Sequence, residues 1–196
     1  MNHPGCHRRQ QILEAAQRLL AHYGPSKTTV ADIAREAQVG VGTVYLEFAS
    51  KDAIIEELSG SVHGGVLEAM RGAASRPGAP FAERLGAIFE ARVEAFFRLT
   101  ADGTHAPDLV HCVSPVVREV HLRFQKDERA VLVSFLREAA EAGAFDLDDV
   151  ERAAEVLIGC HVGFSPPSLF ARSLDEARRS LGELHRLVLR GLLPRR

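Results

Sequence analysis

The sequence predicts an all-α protein: an N-terminal three-helix head with a helix-turn-helix, followed by a larger helical body. Three observations predict this. Apolar residues recur at three- and four-residue steps along the chain, the period of a helix with one buried face. The breaks between these stretches fall at Gly and Pro, and no segment alternates as a half-buried strand does. Large aromatics are divided unevenly: of ten Phe, only Phe48 precedes residue 80, and residues 81–170 hold the other nine.

The elements follow in order. Ile12, Ala16, Leu19, Leu20 and Tyr23 share one helical face, and Gly24-Pro25 ends that helix. A second helix opens at Thr29-Val30-Ala31-Asp32, where Thr29 and Asp32 can satisfy free amides as a capping box. Its inner face is Ile33, Ala34 and Ala37. A short third helix covers Val41 to Glu47, and a fourth opens at Ser50 with Asp52 in its first turn. The break Arg76-Pro77-Gly78-Ala79-Pro80 precedes an amphipathic helix from Phe81 to near Ala101, with Leu85, Ile88, Phe89, Val93 and Phe96 inward. A short helix over Ala106–Val113 is expected next. Ser114-Pro115 then starts a long helix to near Ala142, whose stripe of Val117, Val120, Phe124, Val131, Phe135 and Ala139 is interrupted by Asp127-Glu128. Leu147 to near Phe164 and Ser173 to near Leu193 complete about nine helices.

Composition narrows the function. At 196 residues, 46% apolar and 26% charged, the chain is globular and not disordered. Its net charge of −2 at first argues against nucleic acid as a partner. The charge is unevenly placed, however. Residues 1–51 hold six basic side chains (Arg8, Arg9, Arg18, Lys27, Arg35, Lys51) against four acidic (Glu14, Asp32, Glu36, Glu47), so the head is mildly basic and the body acidic. Cys6, Cys112 and Cys160 are far apart and odd in number, which argues against a disulfide framework and a cysteine zinc site. No run of apolar residues is long enough to span a bilayer, and the first ten residues have no hydrophobic signal core. A soluble cytoplasmic protein without a membrane partner is expected.

Two short helices separated by about three residues, as over 28–48, form a helix-turn-helix, which sets its second helix in the DNA major groove. A helical hairpin within a bundle shares that pattern. The match extends further: Ile12-Leu13-Glu14-Ala15-Ala16, Gly24, Thr28-Thr29-Val30, Ile33-Ala34, Val39, Gly42-Thr43-Val44-Tyr45, Phe48 and Ser50-Lys51-Asp52 together resemble the TetR (tetracycline-repressor) family of bacterial regulators. The resemblance covers about 50 residues and implies a DNA-binding domain over 1–50 and an effector-binding and dimerisation domain over 51–196. By the same resemblance, Val41, Gly42, Thr43, Tyr45 and Leu46 face the groove, and Thr29 and Lys51 hold phosphates. The chemistry agrees. Thr43 and Tyr45 offer hydroxyls, Val41 can touch thymine methyls, and Gly42 lets the backbone approach closely. Three residues depart from the family's usual pattern. Gln38 stands where Gly is common in the turn, Gly40 where Ser caps the third helix, and Glu47 where a neutral or basic group is common.

In the body, Leu157 and Cys160, with Leu181, Leu184 and Val188 of the last helix, form two stripes. They suit one half of a dimeric four-helix bundle, although packing within one chain would use the same stripes. Phe89, Phe96, His121, Phe124 and Phe164, with His111 and His161 as polar handles, are the candidate effector pocket. Core packing accounts equally for each of these Phe. Few charges punctuate the stripes, so a largely apolar or aromatic effector is expected. The scattered His and Cys do not put two metal ligands on one helical face, so no metal or other cofactor is expected.

The leading expectation is a ligand-responsive repressor. It would bind a palindromic double-stranded DNA operator as a homodimer and be released by a small molecule. A metal-, haem- or redox-sensing regulator on the same scaffold is the alternative. An all-helical enzyme or interaction module is a further one, although no GxSxG, P-loop, HExxH or GxGxxG motif supports an enzyme.

Overall fold

The computed structural model describes residues 4–100, 103–110 and 114–192. It contains eight α-helices: α1 (Pro4–Tyr23), α2 (Val30–Glu36), α3 (Val41–Glu47), α4 (Lys51–Ala74), α5 (Phe81–Thr100), α6 (Pro115–Glu141), α7 (Val150–Cys160) and α8 (Leu174–Leu192). Short 3-10 turns cover Ala106–Leu109, Val162–Phe164 and Ser168–Ala171, and no strand occurs among the described residues. The all-α expectation is met, and two elements differ. The helix expected over 106–113 is a single 3-10 turn within the described residues. The helix expected over 147–164 is confined to α7. Asp149 caps its start by accepting from the Arg152 amide at 3.0 Å, and the chain tightens after Cys160 into the 3-10 turn.

The chain forms two compact units, Met1–His63 with Arg98–His121, and Gly64–Phe97 with Leu122–Arg196. Helices α4, α5 and α6 each contribute residues to both. The first unit therefore extends beyond the boundary expected at residue 50.

The first unit is built on Ile12, Ala16, Leu20, Ile33, Ala34, Val44, Phe48, Ile54, Ile55 and Leu58, joined by Leu109 and Val117. The predicted capping box is present: the Thr29 hydroxyl accepts from the Asp32 amide, and the Asp32 carboxylate accepts from the Thr29 amide. Those bonds hold the Asp32 carboxyl below the usual carboxylate range. Gln38 has φ of 56°, with Val39 N–H bonded to the Ala34 carbonyl at 2.9 Å and Gln38 N–H to Arg35 at 3.2 Å. This is a Schellman ending without its usual glycine, and the left-handed residue costs about 1 kcal/mol. Segment 103–110 seats on the end of α1. The Ala21 carbonyl accepts from His105 N–H at 2.8 Å, and a Cβ on Gly103 (φ 146°) would stand 2.6 Å from that oxygen. Only glycine fits there. Ser59 of α4 holds the far end of the segment by donating its hydroxyl to the Leu109 carbonyl at 2.6 Å.

In the second unit, all five residues expected inward on α5 are buried: Leu85, Ile88, Phe89, Val93 and Phe96. They form a core with Phe124, Leu132 and Leu136 of α6, Ala154 and Leu157 of α7, and Ala177 and Leu181 of α8. Arg84 lies over the Phe81 ring at 4.5 Å and donates to the Ala74 carbonyl and the Glu138 carboxylate, which closes the C-terminal end of α4.

Candidate nucleic-acid interface and effector core

Helix α3 has two unlike faces. Val44 and Phe48, four residues apart, are buried in the first unit. The opposite face carries Val41 (42% exposed), Tyr45 (55%) and Leu46 (85%), with Gly42 between them. A Cβ on Gly42 would meet nothing within 4 Å, so no contact inside the chain requires glycine there. Thr43 is half-buried. A seven-residue helix with a Gly40 N-cap and no side-chain cap is not stable alone, so its position is set by neighbours. Arg9 of α1 is the main one. Its guanidinium lies 4.0 Å over the Phe48 ring, donates to the Glu47 carbonyl at the end of α3 and pairs with Glu57 of α4. A cation at a helix C-terminus satisfies an otherwise unpaired carbonyl and suits the dipole. Arg18 of α1 pairs with Glu36 at the end of α2, at 3.0 Å.

The two residues expected to hold phosphates are already engaged. The Lys51 ammonium donates to the Pro25 carbonyl at 2.7 Å and the Thr28 carbonyl at 3.0 Å, tying the start of α4 to the α1–α2 loop. One of its three hydrogens remains for an anion. The Thr29 hydroxyl donates to Asp32 at 2.6 Å, so it can donate to a phosphate only by giving up that bond. The Thr29 bond is part of the capping box expected from the sequence, whereas the load on Lys51 was not expected, because a contact between distant loops leaves no local periodicity.

Of the expected pocket residues, Phe89, Phe96, Phe124, His161 and Phe164 are all buried in the second unit. His161 stacks on Phe89 with centroids 3.5 Å apart and planes within 7°. Phe96 meets Phe124 edge to face at 5.9 Å. His121 belongs to the first unit, with Nδ1 3.5 Å from Nε2 of the buried His63. His111 lies outside the described residues. Two residues that sequence reading missed organise the cluster. Arg92 and Glu128 form an ion pair with both side chains about 5% exposed. Arg92 also donates to the Phe164 carbonyl and the Ser165 hydroxyl at 2.8 Å and lies over the Phe96 ring at 5.2 Å. The cluster expected to be apolar thus encloses a bonded charge pair.

His185 of α8 is the other residue missed. Its Nε2 lies 3.0 Å from Nε2 of His161, whose Nδ1 lies 2.6 Å from the Leu157 carbonyl. The carbonyl only accepts, so His161 carries its proton on Nδ1, and His185 donates to its free nitrogen. Burial pushes His161 down to about 3 and His185 down to about 4, so both are neutral.

The interface residues expected on the last helices separate into two sets. Leu157 and Leu181 are 3% and 0% exposed within a single chain, so they cannot meet a partner. They are core residues because their helical phase matches Ala154 and Ala177. Cys160 is exposed, and Leu184 and Val188 are half-buried. Beside them Val156, Val162 and Leu187 are 50%, 63% and 69% exposed. Among the described residues no group of three or more His, Cys, Asp or Glu is arranged to hold a metal ion.

Comparison with known proteins agrees with this architecture. Residues 12–58, which cover the head and the start of α4, match the family described as bacterial regulatory proteins, tetR family. Across 144 residues, 72% of each chain, the sequence is 31% identical to the HTH-type transcriptional repressor KstR2 of Mycobacterium tuberculosis. The structure of that organism's ketosteroid transcriptional regulator KstR2 superposes with a TM-score of 0.56 at 25% identity, covering 96% of both chains. The TetR-family regulator PfmR of Thermus thermophilus superposes with a TM-score of 0.65 at 24% identity, covering 96% of this chain and 98% of that one. These relatives are DNA-binding regulators and not enzymes. The chain belongs to the TetR family of bacterial transcriptional regulators.

Proposed function

We propose that the protein is a cytoplasmic repressor that binds a palindromic operator as a homodimer and is released by a small, largely apolar or aromatic effector. The observation that carries this reading is the outer face of α3. A helix held by Arg9, Val44 and Phe48 leaves Val41, Gly42, Tyr45 and Leu46 exposed on its outer face. That is the arrangement a recognition helix needs for the major groove. Residues 1–50 act as the DNA-binding part and 51–196 as the effector-binding and dimerisation part.

The second copy of the chain packs on α7, the 3-10 turn after it and α8, through Val156, Cys160, Val162, Leu184, Leu187 and Val188. Dimerisation sets the two α3 helices to successive half-sites, about 34–36 Å apart or more. The effector enters among Phe89, Phe96, Phe124 and Phe164. These side chains are packed as core, so a ligand there favours a different arrangement of α5, α6 and α7. Helix α4 contributes residues to both units and carries the change towards the head. KstR2, the relative named as a ketosteroid regulator, supports an effector of largely apolar character.

The test is selection of bound duplexes from a random pool with the full chain, then a screen of apolar small molecules for release. Recovery of an inverted repeat, with release by at least one compound, supports the reading. Recovery of no sequence at low salt contradicts it.

A further inference from the structure

The groove-facing chemistry of α3 points to how it reads sequence. Guanine is read by Arg or Lys, adenine by Asn or Gln, and cytosine by a carboxylate; thymine alone offers a methyl group in the major groove. Helix α3 reads Val41-Gly42-Thr43-Val44-Tyr45-Leu46-Glu47 and has no Arg, Lys, Asn or Gln. Its one carboxylate, Glu47, is half-buried, while Leu46 beside it is 85% exposed. Helix-turn-helix proteins contact bases from the recognition helix, and α3 spans only about two turns, Val41 to Glu47. Along it the large exposed side chains are aliphatic or aromatic: Val41, Tyr45 and Leu46. Leu46 shares α3 with exposed Val41 and Tyr45, so the exposed apolar side chains on this helix are grouped and not single. Gly42 adds no bulk between Val41 and Leu46, so the backbone can come close to the base edges.

We propose that α3 reads thymine through its 5-methyl group, with Val41 and Leu46 as the reading side chains. This rests on α3 entering the groove, as in the function proposed above. The Tyr45 and Thr43 hydroxyls, which accept or donate to any base or to phosphate, fix the helix in register. The operator half-site is then defined by where its thymines stand, and the discrimination is between thymine and cytosine or uracil at those positions.

The test uses the operator recovered by selection, with each half-site thymine replaced in turn by deoxyuridine. The replacement keeps every hydrogen bond of the base pair and removes only the methyl. Burial of one methyl corresponds to about fourfold in affinity. The expected result is a loss of about fourfold at one or two positions per half-site and none in the spacer. Leu46→Ala or Val41→Ala should bind more weakly and lose the difference between thymine and uracil at its own position. Full tolerance of deoxyuridine at every position overturns the assignment. So does an equal loss at all thymines including the spacer, or unchanged discrimination in both variants. If selection recovers no sequence, the DNA-reading function fails and this assignment with it. If it recovers one whose thymines are all replaceable, only the methyl reading fails.

Discussion

Glu128 occupies the apolar stripe of α6, one turn after Phe124, and its carboxylate is held by the buried guanidinium of Arg92 on α5. A charge in that position is tolerated only because it is paired and bonded. Breaking such a pair from one side leaves an uncompensated buried charge. Glu128→Ala should lower the unfolding free energy by about 3–5 kcal/mol. The double change Arg92→Met with Glu128→Leu should recover at least half of that. Urea unfolding of the three proteins measures both effects.

The His161–His185 pair gives the fold a pH dependence. Both are neutral in the folded chain, at about 3 and about 4, while an exposed histidine titrates near 6.5. Their contribution is complete above about pH 6.5 and is lost as pH falls through the window down to about 3–4, because the unfolded chain takes up the protons first. Each histidine should remove up to about 1.4 kcal/mol per pH unit within it. His185→Gln keeps an amide donor for His161 and does not titrate. Its stability should therefore fall less steeply between pH 6.5 and 5 than that of the parent chain, as read by denaturant midpoints.

Gly42 separates stability from function. Alanine there meets no atom and improves helix propensity by up to about 1 kcal/mol. Gly42→Ala should therefore raise the melting temperature slightly and, in the proposed complex, weaken operator binding, since the added methyl would face the DNA. A variant that binds as tightly as the parent would show that the backbone does not approach the bases at this point.

The proposed dimer depends on side chains that a single chain leaves exposed. Leu187→Glu with Val156→Glu places two carboxylates on that face without touching the buried core. Sedimentation should show a shift from dimer to monomer with helical content retained. A wild-type chain that sediments as a monomer at micromolar concentration contradicts the proposed interface.

Much of the fold was legible in the sequence for local reasons. The capping box at Thr29 and the five inward residues of α5 follow from neighbours within one or two turns. The outward face of α3 was legible too, because Val44 and Phe48 fix its phase. The contacts made by Arg9, Lys51, Arg92 and His185 join residues 20 to 70 or more positions apart. Periodicity carries no information on such pairs. Glu128 alone left a trace, as a carboxylate on an apolar stripe. Leu157 and Leu181 are buried within the chain, and periodicity alone does not separate such residues from an interface, because one stripe of Leu serves equally for both.

The most direct test of the account is the affinity of the full chain for the selected operator and for a scrambled duplex, measured by fluorescence anisotropy over a range of salt. The account predicts operator binding at least about a thousandfold tighter than to the scrambled duplex. With Arg9, Arg18 and Arg35 of the head already paired to carboxylates, it also predicts a salt slope equivalent to about 4–6 phosphates per dimer. Equal affinity for the two duplexes at every salt concentration would contradict it.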